Sequence, residues 1–296
     1  MDEHLPVLLD DVLALLAVRP SGFYVDGTLG MGGHSSAILA AGGRLLASDR
    51  DAFALARARE RIASAHPGAS VELHHAPFSQ LPALLDGRRP DGILLDLGVS
   101  SPQLDRPERG FSFRADGPVD LRMDPSSGEP ASAWLDRVPE AELVRVLFEY
   151  GEERHARRVA RAILAARPLR GTLHLAEVVA GVVPRDGRIH PATRTFQALR
   201  IVINDELGEL DRALESLPGC LAPGGRLVVI SFHSLEDRRV KDRFRDLAGF
   251  DAPRDLFGSP IVEPAYRLVE RRARKGESDP NPRARSARLR ALERLP

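Results

Sequence analysis

Short apolar runs recur through the first hundred residues, and each closes on a carboxylate. Phe23-Tyr24-Val25 closes on Asp26, Arg44-Leu45-Leu46-Ala47-Ser48 on Asp49, and Gly92-Ile93-Leu94-Leu95 on Asp96. Runs of this length read as short strands, the last one fully buried. Val71-Glu72-Leu73-His74-His75 alternates as a strand does. Between these runs, Ser35 to Ala41 is small and helix-compatible. Ala52 to Ala65 sets apolar residues at helical spacing among Ala and Arg, both strong helix formers. Strands separated by helices imply parallel βαβ units in a doubly wound sheet.

The rhythm breaks after residue 105. Arg106 to Asp124 is rich in Gly, Asp, Arg and Pro and has no period, whereas Ala131 to Leu164 and Leu173 to Val183 are helical in pattern. A long helix is predicted from Ala192 to Leu217. Gly224 to Ser231 then gives another strand after a Pro-Gly-Gly turn, and Ala265 to Val269 can pair with Ala287 to Leu292 as a closing hairpin. The expected organisation is an α/β sheet domain formed by residues 1–105 and 191–296, interrupted by a helical domain at 106–190.

The 43% hydrophobic content supports a real core, and 42 basic residues balance 42 acidic ones, so the molecule is no polycation. Charge is unevenly spread. From Arg267 to Pro296 ten Lys or Arg face four Asp or Glu, a local +6 that suits phosphates as well as solvent. Only Lys241 and Lys275 are lysines. The single Cys220 excludes an internal disulfide and a cysteine zinc cluster, consistent with a reducing compartment. Met1-Asp2-Glu3-His4 has no signal-peptide pattern and no apolar run approaches about 18 residues, so a cytoplasmic protein without membrane contact is expected.

Candidate chemistry sits at the strand ends, where open α/β sheets bind ligands. Asp26-Gly27-Thr28-Leu29-Gly30-Met31-Gly32-Gly33-His34-Ser35 is glycine-rich, but Ser35 stands where a dinucleotide fingerprint has its third glycine, and no Lys-Ser or Lys-Thr follows. A cofactor without a pyrophosphate fits better, and S-adenosylmethionine is such a molecule. Asp49 is spaced to accept from ribose hydroxyls, with helix capping as its competing role. Phe78 can lie against an adenine or simply pack in the core.

The loop Asp96-Leu97-Gly98-Val99-Ser100-Ser101-Pro102-Gln103-Leu104-Asp105 gathers acceptors able to draw the hydrogens of an exocyclic amine. Asp96, Ser100 and Ser101 are the catalytic candidates, beside the Gln103 amide. Its Gly-Val-Ser-Ser-Pro spacing is not that of a hydrolase nucleophile elbow. Arg194 and Arg200 with His190, His233, and the basic turn Asn281 to Ser286 are secondary candidates for substrate contact, each with a structural alternative.

Eight ordered blocks now resemble one family: Asp26 to Ser35, Asp49-Arg50-Asp51, Asp96 to Asp105, Arg109 to Phe113, Asp120 to Asp124, His190 to Arg200, Ser231 to Asp237 and Asn281 to Ser286. Nearly the whole chain is similar to the bacterial ribosomal RNA small-subunit methyltransferase H family. That resemblance implies a Rossmann-like S-adenosylmethionine-dependent methyltransferase sheet with an inserted α-helical domain. It also implies methylation of the N4 amine of a decoding-centre cytidine in 16S rRNA, within the small ribosomal subunit. Family cofactor positions fall on Gly32, Gly33, His34, Asp49, Phe78, Asp96 and Gln103. The loop lacks the aromatic that other amino-methyltransferases place there, so Phe111 or Phe113 is expected to stack on the extruded base. A nicotinamide-dependent oxidoreductase and a non-catalytic RNA-binding protein are the alternatives. The oligomeric state, a homodimer included, stays open, as do the proton acceptor and the choice between naked rRNA and an assembled subunit.

Overall fold

The structure, a computed structural model, describes residues 5–184, 189–253, 255 and 261–296. Met1 to His4 and Arg188, which opens the segment leading into His190, lie outside the described residues. The strands are β1 (Phe23–Asp26), β2 (Arg44–Asp49), β3 (Val71–His75), β4 (Gly92–Asp96), β5 (Arg226–Ser231), β6 (Tyr266–Leu268), β7 (Arg274–Lys275) and β8 (Arg288–Arg294). The helices are α1 (Leu9–Leu16), α2 (Gly33–Ala40), α3 (Ala52–Ala65), α4 (Leu81–Leu85), α5 (Ser101–Asp105), α6 (Ala131–Arg137), α7 (Glu140–Glu149), α8 (Ala156–Ala165), α9 (Thr172–Ala180), α10 (Thr193–Asn204), α11 (Glu206–Cys220) and α12 (Ser234–Leu247). All strands form one sheet in the order β3-β2-β1-β4-β5-β8-β6, with β7 also on β8. The first five are parallel, β8 is antiparallel to β5, and β6 and β7 are antiparallel to β8. This is a Rossmann-like sheet whose order reverses between β1 and β4, the switch point at which ligands are held.

Chain contacts divide the molecule into two compact units, Met1–Gly98 with Gly208–Pro296, and Val99–Leu207. In the first unit the central strands carry near-continuous apolar runs because helices cover both faces. Ile93, Leu94, Leu95, Leu227, Val228, Val229 and Ile230 are all buried. Helix α3 buries Ala54, Leu55, Ala58 and Ile62, a stripe at helical spacing. Asp51 caps it by accepting from the Phe53 amide, a contact worth about 1 kcal/mol.

The second unit is helical and wider at both ends than the 106–190 insertion expected from composition. Val99 and Leu104 pack on its apolar core at one end, and α10 gives that core Phe196, Ala198 and Leu199 at the other. The continuous helix expected over 192–217 is two helices. Asp205 adopts φ 48°, ψ 39° after α10, a left-handed conformation that ends one helix before Glu206 starts the next. The aperiodic stretch 106–124 is held by side chains serving backbone. Buried Arg109 donates to the carbonyls of Arg122 and Met123, and Asn204 Oδ1 accepts from the Met123 amide at 2.7 Å while its Nδ2 donates to Leu121 O.

Candidate active site

Within the first unit, three neighbouring strands end in carboxylates. Asp26 on β1 is level with Ala47 of β2 and Leu94 of β4, so Asp49 and Asp96 each project two residues beyond it on either side. Asp26 itself is buried, and both of its oxygens accept hydrogen bonds. Its Oδ2 accepts from Ser35 Oγ at 2.7 Å, and its Oδ1 accepts from the Thr28 amide. The Thr28 hydroxyl in turn accepts from the Asp96 amide at 2.6 Å. Asp26 therefore braces the glycine loop against α2 and β4, which explains the hydroxyl at Ser35 where a dinucleotide site keeps a small apolar residue.

Asp49 is half-buried and accepts from the Gly30 amide with Oδ2 (2.7 Å) and from the Asp51 amide with Oδ1 (2.8 Å). Two of its four lone-pair sites remain for hydroxyl donors. Capping of α3 falls to Asp51, so the capping alternative for Asp49 drops away. Burial pushes the Asp49 carboxyl up to about 6, the two backbone amides hold it down, and Asp51 and Asp26 push it further up. Asp96, a quarter exposed, is also pushed up to about 6, by burial first; the His34 imidazole lowers it and Asp26 and Glu236 raise it. Its Oδ1 is a buried acceptor with no hydrogen-bond partner among the described residues.

His34 is buried in the first turn of α2. Its Nε2 lies 2.9 Å from Val7 O and, facing a carbonyl, must donate; Nδ1 is left facing Asp96 Oδ2 at 3.6 Å. The glycines serve two separate ends. Gly32 has φ 75°, the left-handed conformation that starts α2. Gly33 is crowded not by ligand space but by the chain: a Cβ there would lie 2.6 Å from Pro6 Cγ. Residues 5–8 thus strap the loop, and they are tied in turn by Asn281 Nδ2 donating to Leu5 O and the Leu8 amide donating to Asp279 Oδ2. Phe78 opens a short 3-10 turn after β3, half-buried against the core that contains Leu81 and Leu95.

Eight sequence candidates, from Ser100 to Arg200, belong to the second unit. The expected loop at 100–105 is a short helix, α5, with Ser100 as its N-cap, Ser101 half-buried at its first position and Gln103 buried. Gln103 Oε1 accepts from the Ser100 amide at 2.9 Å, a capping contact. Phe111 is buried in the helical core beneath Arg109, which removes it as the expected base-stacking partner; Phe113 is half-buried against Phe196 and His190, with ring centroids 4.9 and 4.8 Å away. Arg200 is bound bidentately to Glu206 at 2.7 and 2.8 Å and is no phosphate contact; Arg194 is exposed. In the first unit His233 stands at the N-cap of α12 with Nε2 3.1 Å from Glu236 Oε1, and neither ring nitrogen completes a hydrogen bond among the described residues. Asn281 serves the chain, accepting from the Arg283 amide. Sequence reading missed Thr28, and it missed the strap Pro6-Val7; both act through backbone contacts that carry no sequence spacing.

Burial is the main cause that raises all three strand-end carboxyls, and Asp26 adds to the rise at both Asp49 and Asp96, so the edge is electrostatically suited to a cation and hostile to an anion. A sulfonium-bearing nucleoside fits this donor set: hydroxyl donors for Asp49, positive charge beside Asp96. The pyrophosphate of a dinucleotide does not.

Comparison with known proteins agrees with this chemistry. The model of the MraW methylase family matches residues 1–295. A protein of Thioalkalivibrio sulfidiphilus named ribosomal RNA small subunit methyltransferase H is 54% identical over 310 aligned positions, covering 99% of this chain and 97% of that protein. Proteins of the same name from Halorhodospira halophila and Anaeromyxobacter dehalogenans are 53% and 50% identical, each over 99% of this chain and over 94% and 98% of their own lengths.

Proposed function

This chain belongs to the MraW methylase family, and on that premise we propose that it methylates the N4 amine of a decoding-centre cytidine in 16S rRNA, using S-adenosylmethionine. The observation that carries the reading is the acidic strand edge. Asp49 keeps lone pairs for ribose hydroxyls, and Asp96 keeps an unpartnered buried oxygen beside a site suited to positive charge. When bound, S-adenosylmethionine supplies an electrophilic methyl group on a positively charged sulfur.

The residues of this chain have the remaining work. A cytidine amine is a weak nucleophile because its lone pair is delocalised into the ring, and it must lose a proton as the N–C bond forms. Asp96, ionised above about pH 6, accepts a hydrogen bond from that amine and takes the proton. His34, its Nε2 donating to Val7 O, stands 3.6 Å from Asp96 Oδ2 and leaves Oδ1 to the amine. Gly32 and Phe78 shape the cofactor side, and Gly33 acts there through the close approach of Pro6. Ser100 and Ser101 follow Asp96 closely along the chain and are assigned to the target amine, and Gln103 to the cofactor.

The reading is tested on small subunits and on 16S rRNA from cells lacking the protein. Mass analysis is expected to find one cytidine short of a base methyl group, restored by purified protein with S-adenosylmethionine. An unchanged nucleoside inventory refutes it. Asp96→Asn is expected to lower turnover about 10²-fold or more with helix content intact.

A further inference from the structure

A groove of about 310 Å³ lies on the first unit between α12 and the antiparallel strands β6, β7 and β8. Seven of its twelve lining residues are Lys or Arg and one, Glu270, is acidic. Some exposed cations among the described residues are neutralised locally, as Arg88 is by Glu72 and Arg145 by Glu142 and Glu149. In the groove neutralisation is partial. Glu270 is engaged by Arg274, which does not line it, and Asp237 alone serves both Arg288 (3.8 Å) and Arg290 (2.7 Å). Lys241 and Lys275 reach Asp242 and Glu277 only at 3.3 and 3.4 Å, both pairs exposed. Arg271 and Arg272 are exposed and make no ion pair or hydrogen bond among the described residues. Exposed pairs of this kind contribute little, so the groove keeps most of its positive charge for something else.

Its place in the sheet says what that is. Arg288 pairs in register with Ser231 at the carboxyl end of β5 and with Lys275 of β7. Leu289 between Arg288 and Arg290 is level with Ile230, which is level with Asp96. Two inter-strand steps of about 4.8 Å put the groove's strand roughly 10 Å from the Asp96 backbone along the same edge, with Leu289 on the face of Asp96 and Arg288 and Arg290 on the other face, toward α12.

We propose that this groove is the phosphate-binding track for the substrate RNA, holding the backbone beside the base that Asp96 receives. The inference rests on the reading of an RNA substrate above and adds where the protein grips it. The chemistry required is sequence-independent: guanidinium and ammonium groups on successive phosphodiesters, displacing condensed counterions. Arg271 and Arg272 offer two such contacts.

The test compares Arg271→Ala/Arg272→Ala and the charge reversal Arg271→Glu/Arg272→Glu with the wild type. It measures binding to a 16S rRNA fragment across salt concentrations, methylation of that fragment, and S-adenosylmethionine binding. Neither side chain packs on the core, and a melting curve checks the fold. The expected result is a KM for RNA raised at least tenfold in the reversal variant, with kcat and cofactor affinity unchanged. The alanine pair is expected to flatten the log–log salt slope by about 1.5, which is two lost contacts. An unchanged RNA affinity and slope in both variants overturns the groove. So does a loss confined to assembled subunits with naked RNA unaffected, which would assign the groove to ribosomal protein. If the wild type neither binds nor methylates the RNA, free or in assembled small subunits, it is the function reading that fails.

Discussion

Asp49→Asn separates the cofactor reading from a purely structural one. In the wild type each carboxylate oxygen accepts one backbone N–H, from Gly30 at 2.7 Å and from Asp51 at 2.8 Å. An amide keeps one acceptor and turns an NH2 group toward the other N–H, so one charge-assisted contact becomes a donor facing a donor. That loss is about 2 kcal/mol, or roughly 30-fold in an equilibrium constant. If the Gly30 contact breaks, the loop that starts α2 is no longer held for the ligand. A ribose hydroxyl that donated to the carboxylate adds a second loss of similar size. The dissociation constant for S-adenosylmethionine is therefore expected to rise roughly 30-fold for one loss and about 1000-fold for both. Folding of the free protein is expected to suffer far less, because the substitution also removes a desolvated charge held up at about 6. Calorimetric titration with the cofactor, alongside a melting curve without it, reads both quantities. A dissociation constant within threefold of the wild type refutes the assignment of Asp49; a collapse of the fold without ligand refutes the claim that its main task is binding.

Asp96 predicts an acid limb in kcat/KM with a midpoint near pH 6, and His34→Gln, which removes a group that lowers Asp96, moves that limb to higher pH; a limb unmoved by the substitution uncouples the pair. Asp49 and Asp96 are both raised from 3.8 to about 6 in the folded protein, so the fold binds more protons than the unfolded chain across that interval. Stability without cofactor should fall as pH rises from about 4 to 6 and then level off, which denaturant titrations at several pH values check. Gly33→Ala drives a Cβ to 2.6 Å from Pro6 Cγ and is expected to cost about 1–3 kcal/mol and release residues 5–8, seen as faster amide exchange there. Asn204→Ala leaves the buried Met123 amide without its acceptor, costing about 1–3 kcal/mol and exposing 106–124 to protease; unaltered cleavage would contradict the bracing role.

The strands and their terminal carboxylates were legible because a strand buried on both faces needs an unbroken apolar run, and Asp26, Asp49 and Asp96 interrupt theirs visibly. The break at Asp205 was not, since the apolar period continues through it and only a left-handed backbone marks the end of α10. The short α5 hid behind Ser100, Pro102 and Gln103, residues that suit a loop and a capped helix start equally. Within the site, spacing revealed Asp49, but Thr28, Val7 and Pro6 act through backbone or ring contacts, and nothing in their identity announces them. Phe111 looked free for a base because it sits in an aperiodic stretch; the Arg109 and Asn204 contacts that fold that stretch also bury the ring.

The register of β4 has a consequence for how this chain is made. Gly92 to Asp96 pair on one side with β1, which is already synthesised, and on the other with Arg226 to Ile230. Some 130 residues separate those partners, so at 5–20 residues per second the ribosome needs on the order of ten seconds to deliver the second edge. Through that interval Ile93, Leu94 and Leu95 belong to a strand with one open side, an invitation to mispairing between nascent chains. The helical segment emerges in the same window and has its own core. Slowing translation between codons 100 and 226 should therefore lower the yield of folded protein more than the same delay placed after codon 231.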